Sequence, residues 1–462
     1  MTSTTSRLIS HDPATLEKVG SVSSTTVDEV RRAVERGRKA AKDWSATTIP
    51  ERAAALERAA ELLAERSEIF AKLISREEGK PLRESRSETL NTADRIRYFA
   101  ESGPKVLESR MEPVRDITGI VEYRPRGVVA AVKPWNFPVN IPAWTLAPAL
   151  LAGNAVVFKP SELTPLCGRK LVELFWEAGI PRNVLQIVQG GDAVGKALVA
   201  APVDMIAFVG SLEAGRSIAK IAAPDFKQLA LEMAGKDPAI VLDDAVIDEA
   251  VELLVHGAFK NCGQVCCSCE RIYVDRKIYP AFVEAFVERT RRLVLGHGLE
   301  ESVEIGPMIR REERQRVEAF GADARKRGAR ILTGGVRPKL DLPGAFYSPT
   351  VLTRVPDSAV MMRKEIFGPA IPILPVRDEE EAVKRANALP FGLTATVWSA
   401  DRDRGARIAR RIEAGTVAVN STTGSIVQHP WGGVKSSGFG RMLGLEGIRS
   451  FTQVVTIRIA NR

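Results

Sequence analysis

Histidine is scarce in this chain, with four residues among 462: His11, His256, His297 and His429. All four lie outside the motifs described below, so a Cys–His protease or transferase dyad has little to stand on. Cysteine is almost as rare. There are five, an odd number, and four of them crowd into positions 262–269, which is not the pattern of a disulfide framework. Reduced thiols in a reducing compartment fit that count. No apolar run is long enough to cross a bilayer. The opening string MTSTTSRLISHD has no apolar signal core, so a cytoplasmic location is expected, with no membrane partner.

Charge is abundant and of both signs. The chain carries 66 basic and 57 acidic residues, a formal net charge of +9. The two signs interleave along stretches such as 51–80, which describes a solvated helical surface rather than a nucleic-acid face, although an anionic cofactor would still benefit. At this length the chain can bury large cores and is expected to form two or three domains.

The apolar pattern has two regimes. From Val27 to Ile74 it has helical spacing, interrupted near Ile49-Pro50, which predicts an N-terminal helical layer. ITGIVEYRPRG (117–127) is β-branched, but its proline confines it to an edge or extended strand. Short apolar runs at 128–132, 155–158, 184–188 and 205–209 then alternate with helix-length stretches, the rhythm of a doubly wound α/β domain. The rhythm restarts beyond Gly235, with runs at 239–242, 271–274, 371–376, 394–398 and 416–420, and predicts a second such domain. The tail TQVVTIRI (452–459) alternates like an exposed strand in need of a partner.

The chemistry gathers in a few strings. FKNCGQVCCSCER (259–271) places Cys266 just after a Gly-Gln pair, where a turn would leave the sulfur accessible and near backbone N–H donors. Adjacent Cys266 and Cys267 point in different directions on any regular backbone, so no metal site is expected from this cluster. LEMAGKDP sets Glu232 among apolar and small neighbours, where a part-buried carboxylate can keep a pKa suited to general base work. KPWNFP (133–138) follows a strand directly, and Asn136 has a side-chain N–H to offer a developing oxyanion. FVGSLEAG (208–215) reads as strand, turn and helix start; Gly210 and Gly215 allow close backbone approach, and Ser211 can meet a phosphate at the helix N-terminus. GGDAVGKA (190–197) nearly spells a phosphate loop but has Ala197 where a Ser or Thr would hold magnesium, so it is read as a structural turn. EIFGP (365–369), taken alone, is a turn with a core aromatic.

These strings resemble those of the NAD(P)-dependent aldehyde dehydrogenases, and the likeness spreads across nearly the whole chain. The resemblance implies an α/β, aldehyde-dehydrogenase-like fold. Residues 1–110 and 128–234 would form the dinucleotide-binding domain and 235–437 the catalytic domain, with 111–127 and 448–462 as oligomerisation strands of a homodimer or homotetramer. It implies Cys266 as nucleophile, Glu232 as general base and Asn136 as oxyanion donor. The cofactor would be held by Trp135, Lys159, Ser161, Glu162, Gly210, Ser211, Gly215, Glu365 and Phe367. In KPSE (159–162), Lys159 would contact the adenosine ribose and Glu162 its hydroxyls, which favours NAD while leaving NADP possible. Glu365 would take the hydroxyls of the nicotinamide ribose, and Phe367 would lie against the ring.

The sequence departs from the family pattern in two places, Ala234 where glycine or serine is usual, and Met442 where a glutamate often follows the arginine of PWGGVKSSGFGR. The second departure puts any proton path through that carboxylate in doubt. The implied activity is oxidation of a small-molecule aldehyde to an acid through a cysteine thiohemiacetal and thioester. Two alternatives stay open: a succinate-semialdehyde type of enzyme using NADP, with Lys260 serving the carboxylate, or a non-catalytic relative. Trp144 and Phe137 equally suggest an apolar or aromatic substrate funnel.

Overall fold

The computed structural model describes residues 6–461. Its N-terminal third is helical, built from Val27–Ala46, Ile49–Glu65, Ser67–Glu78 and Leu82–Val106. The first two helices begin at capping boxes, Thr26 with Glu29 and Thr48 with Glu51, each satisfying backbone N–H groups that a helix start leaves open. The short Thr47–Thr48 break between them accounts for the interruption seen in the sequence near Ile49-Pro50.

Behind these helices lies a six-stranded sheet in the order Gly438–Phe439, Gln228–Glu232, Met205–Val209, Val128–Val132, Ala155–Lys159, Leu185–Ile187. Five of the strands run parallel, and only the short strand Gly438–Phe439 is antiparallel to its neighbour. Helices cover both faces, so Val128, Val129, Ala130 and Ala131 are all buried, as expected of a parallel strand with no wet side. A second sheet of seven strands runs Arg330–Thr333, Thr350–Thr353, Ala370–Val376, Arg271–Asp275, Pro238–Val241, Thr394–Trp398, Thr416–Val419. Its edge strand Arg330–Thr333 is antiparallel and its other pairs are parallel. The fold is the α/β architecture that the sequence rhythm predicts.

A third, three-stranded sheet stands apart from the other two. Ile117–Pro125 is its central strand, flanked by Arg110–Val114 and by the tail Thr452–Ala460. The proline therefore did not confine this segment to an edge. Pro125 is the last residue of the strand and pairs with Thr452, so the missing N–H falls at the end of the ladder. The tail finds its first partner within its own chain. Three further elements escaped the sequence rhythm: a hairpin of Arg7–His11 with Lys18–Ser23, the strand Gln228–Glu232, and the edge pair at 330–353. GGDAVGKA is more than a turn, since only Gly190 and Gly191 form the bend and Asp192–Ala200 is helix.

Candidate active site

The six-stranded sheet dictates where a ligand can enter. From Val128–Val132 the chain winds outward through two strands on one side, then returns to lay Met205–Val209 against the other side of the first strand. The loops leaving Val132 and Val209 therefore diverge, and a crevice opens between them at the carboxyl ends of the strands. The first loop carries Lys133, Trp135 and Asn136; the second carries Gly210 and Ser211. A cavity of about 730 Å³ fills the crevice, and its walls include Trp135, Gly210, Ser211, Glu232, Glu365 and Phe367.

Cys266 reaches this crevice from the other sheet. The helix Ile247–Phe259 ends in a reversal in which Asn261, Cys262 and Gly263 all take positive φ, at 49°, 56° and 71°. A side chain at Gly263 would strike the backbone of Gly368, so glycine is required there. Asn261 holds its left-handed turn with a buried network. Its backbone N–H donates to Glu84 Oε2 (3.0 Å), and its Nδ2 donates to Asn136 O (3.2 Å) and to Gln264 O (3.4 Å). Such strain in two non-glycine residues, upheld by surrounding bonds, is typical of functional loops.

Past this reversal Cys266 is partly accessible, while Cys262 and Cys269 are buried. A second cavity, about 220 Å³, lies on the far side of the loop, with Phe137, Trp144, Trp431, Lys260 and Arg95 in its wall. The two cavities have one lining residue in common, Cys266.

Glu232, last residue of its strand, is buried. Its Oε2 accepts from the Trp431 indole N–H at 2.7 Å, and its Oε1 has no partner. Burial raises its pKa; hydrogen bonds from Cys266 and Trp431 and the charge of Lys133 oppose that rise. The Cys266 thiol is held well above the ordinary thiol range, first by its hydrogen bond with Cys267, then by burial and by Glu232. In this state the sulfur carries its proton, with the Glu232 carboxylate close enough to hold that pKa up. Asn136 Nδ2 donates to Gln264 O at 3.0 Å, and its Oδ1 is buried without a partner. Its carbonyl is pinned from behind by the buried Lys80 Nζ at 2.7 Å, which also binds Glu88 at 2.7 Å.

Of the residues expected to hold a cofactor, Trp135, Gly210, Ser211, Glu365 and Phe367 share the larger cavity with Glu232 and Asn136. Trp135 and Phe367 meet edge to face, ring centroids 5.6 Å apart. Glu365 Oε1 accepts from Gly235 N at 3.1 Å, and burial pushes its carboxyl up to about 8, with Glu270 adding to the rise. Ser211 Oγ already caps its own helix by accepting from Ala214 N. Lys159, Ser161 and Glu162 lie beyond that cavity wall, at the end of the neighbouring strand Ala155–Lys159, where Lys159 Nζ reaches Glu162 Oε2 at 3.4 Å. Gly215 is also outside the wall; its lack of a side chain makes room for Met233, so it sets how closely helix and strand pack.

Two contributors were not singled out by sequence reasoning. Lys133 is buried, its Nζ has no partner, and burial pulls it down to about 7 despite the nearby Glu232. It stood in plain sight in KPWNFP, but nothing in a sequence says that a lysine after a strand lacks a counter-ion. Trp431 is the other. The Met442 that replaces a familiar glutamate is buried and exchanges two backbone hydrogen bonds with Trp431, so this departure helps to fix the residue that orients Glu232.

Residues 1–457 match the model of the Aldehyde dehydrogenase family. The chain belongs to that family. It is 36% identical over 450 residues to Betaine aldehyde dehydrogenase 1 of Rhizobium meliloti (strain 1021), covering 97% of this chain and 92% of that relative. Among solved structures it resembles an E. coli NADP dependent enzyme with a TM-score of 0.96 at 36% identity, covering 98% of this chain and 95% of that one. A betaine aldehyde dehydrogenase from Staphylococcus aureus in complex with NAD+ also gives 0.96, at 34% identity, covering 98% and 92%. The aldehyde dehydrogenase fold read from the sequence thus stands, and the protein is an NAD(P)-dependent oxidoreductase of aldehydes. No helix among the described residues is long and apolar enough to cross a membrane.

Proposed function

We propose that the protein oxidises an aldehyde to a carboxylic acid, with NAD as hydride acceptor, by covalent catalysis at Cys266. The observation that carries this reading is the position of that sulfur, the one feature common to the dinucleotide crevice and the smaller aromatic cavity. The aldehyde enters from the aromatic side. Cys266 sulfur attacks the carbonyl carbon while its proton passes to Glu232, whose Oε1 is buried and unpartnered. Asn136 Nδ2 and the Cys266 backbone N–H hold the resulting alkoxide. NAD, when bound, accepts the hydride that leaves the thiohemiacetal carbon. Glu232 gives up its proton to solvent, then takes one from a water that attacks the thioester. Collapse of that adduct breaks the C–S bond, releases the acid and returns a proton to the thiol.

Residues present suit the cofactor: an aromatic pair at Trp135 and Phe367, a glycine at 210, and the Glu365 carboxylate for ribose hydroxyls. Glu162 favours NAD by repelling a 2′-phosphate, while the neighbouring Lys159 leaves NADP tolerable. We assign residues 1–110 and 128–234 to the cofactor domain, 235–437 to the catalytic domain, and 111–127 with 448–462 to assembly of a homodimer or homotetramer in the cytoplasm.

The test is turnover of an aldehyde panel with NAD and with NADP, read from NADH or NADPH absorbance. Cys266→Ala is expected to abolish turnover. Glu232→Gln removes both the acceptor of the Cys266 proton and the base for water, so it is expected to slow the burst of reduced cofactor and to abolish steady turnover. Steady turnover by Cys266→Ala would refute the mechanism. A wild-type protein that binds NAD yet oxidises no aldehyde would instead favour a non-catalytic relative.

A further inference from the structure

The smaller cavity has an unusual electrostatic inventory. Arg95, on the helix Leu82–Val106, lies in its wall and is 9% exposed. Its Nη2 donates to the backbone and hydroxyl oxygens of Ser425 at 2.7 and 2.9 Å, both uncharged partners, and its Nε is buried with no partner. Burial lowers its pKa to about 10, which leaves the guanidinium charged at neutral pH. A charged fork so placed lacks an anion. Lys260, in the same wall, makes no ion pair or hydrogen bond among the described residues.

The cavity carboxylates answer that charge only at a distance: Glu88 lends Arg95 support and Glu84 faces Lys260, but neither makes an ion pair with either cation. Glu88 is occupied by Lys80 at 2.7 Å and by the backbone N–H groups of Val139 and Asn140. Glu84 accepts from Asn261 N; burial raises its pKa, and the charges of Lys260 and Lys80 oppose that rise. The aromatic rings are likewise engaged by cations of the protein itself. Lys80 Nζ stands 3.8 Å from the Phe137 centroid, and the Arg95 guanidinium stands 6.0 Å from that of Trp144. A quaternary ammonium group needs free ring faces and an electronegative surround. Here those ring faces are already taken by cations of the protein.

We infer that the aldehyde this enzyme takes carries a carboxylate at its far end, bound by Arg95 with Lys260 in support, and that Arg95 is the residue selecting it. The inference rests on the aldehyde oxidation proposed above and names its substrate class, the semialdehydes of short dicarboxylic acids. The planar guanidinium in the cavity wall can offer two N–H groups to the two oxygens of a carboxylate. A neutral aldehyde leaves the half-desolvated guanidinium without an anion, so discrimination should be large.

The experiment uses the purified full chain with NAD and NADP. It compares kcat/KM for succinic semialdehyde and glutaric semialdehyde with that for butanal and for betaine aldehyde. One of the semialdehydes is expected to exceed butanal by roughly 30-fold, the factor usual for a buried charge-assisted bond. Arg95→Gln is expected to erase that advantage through KM while leaving butanal within about 3-fold, and Arg95→Lys to restore part of it. Glutarate is expected to compete with the aldehyde in the unaltered enzyme, a readout that does not depend on how a variant folds. Preference for betaine aldehyde, equal loss on all substrates in Arg95→Gln, or no competition by glutarate would overturn the inference. Turnover of butanal without gain from a carboxylate defeats this inference alone; no turnover of any aldehyde defeats it together with the reading it rests on.

Discussion

The indole N–H of Trp431 donates to Oε2 of Glu232 across 2.7 Å, while Oε1 of the same carboxylate is buried and unpartnered. One oxygen is thereby anchored and the other is left for the Cys266 proton and, later, for water. The bond also favours the ionised form, against the burial that raises the pKa. Trp431→Phe keeps an aromatic wall and deletes the donor, so the Glu232 pKa should rise further. The carboxylate is the competent base, so hydrolysis of the thioester should then need higher pH. Rapid-mix kinetics should show a steady rate whose acid limb moves to higher pH. An unmoved limb would mean that the indole serves packing alone.

Lys133 acts on the same carboxylate through charge. Its folded pKa of about 7 lies well below the ordinary lysine value of 10.5, so between those values the unfolded chain binds more protons than the folded one. Stability from this group therefore rises with pH across that window, and the full cost of burying the ammonium applies at and below about pH 7. Lys133→Met removes the cost. Its melting temperature should exceed that of the unaltered protein at pH 7, with the difference shrinking toward pH 10. The same change takes a positive charge from Glu232, whose pKa should rise, so thioester hydrolysis near neutral pH should slow. A variant both less stable and unchanged in its pH profile would contradict this account.

The pair also shows where a sequence stops being readable. Cys266, Glu232, Asn136 and Phe367 stand in strings whose spacing is informative, and the buried β-branched runs gave away the two parallel sheets. Gln228–Glu232 was not legible as a strand because QLALE has the composition of a helix; parallel pairing with Met205–Val209 overrides that local preference. Pro125 misled because its position within the strand, not its presence, decides whether a ladder bond is lost. The contacts of Arg95 with Ser425, Lys80 with Asn136 and Trp431 with Glu232 join segments more than fifty positions apart, and periodicity has no access to such meetings. Lysine or arginine in a helix ordinarily signals a solvated face. Only the fold reveals that Arg95 and Lys80 turn inward.

Glu365 gives a separate handle on cofactor binding. Burial and the neighbouring Glu270 hold its carboxyl up near 8, so at neutral pH it is largely protonated in the free protein. Two ribose hydroxyls are best accepted by the ionised form. Dinucleotide binding should therefore release a proton, and affinity should increase as pH rises from about 6.5 to about 9. Calorimetry in buffers of different ionisation heat would count that proton. Glu365→Gln, which cannot ionise, should bind NAD more weakly at high pH and lose the pH dependence. A flat dependence in the unaltered protein would remove the ribose role from Glu365.

The three-stranded sheet supplies the last prediction. Its register places Val114 opposite Ile117 and Val454 opposite Tyr123. Ile117 and Tyr123 sit six positions apart on one strand, an even spacing, so all four side chains share a face. On that face Val114, Ile117 and Val454 are 64%, 41% and 63% exposed. Three exposed branched residues on a sheet with open edges form a surface suited to another copy of the chain. Light scattering of the unaltered protein should give the mass of a dimer or tetramer. Val114→Lys combined with Val454→Lys places two like charges at the centre of the contact, and should shift the mass downward at micromolar concentration. The catalytic residues lie on the other two sheets and their loops, so the smaller species should still alkylate at Cys266 and bind NAD. A monodisperse monomer before substitution would remove the assembly role from this sheet.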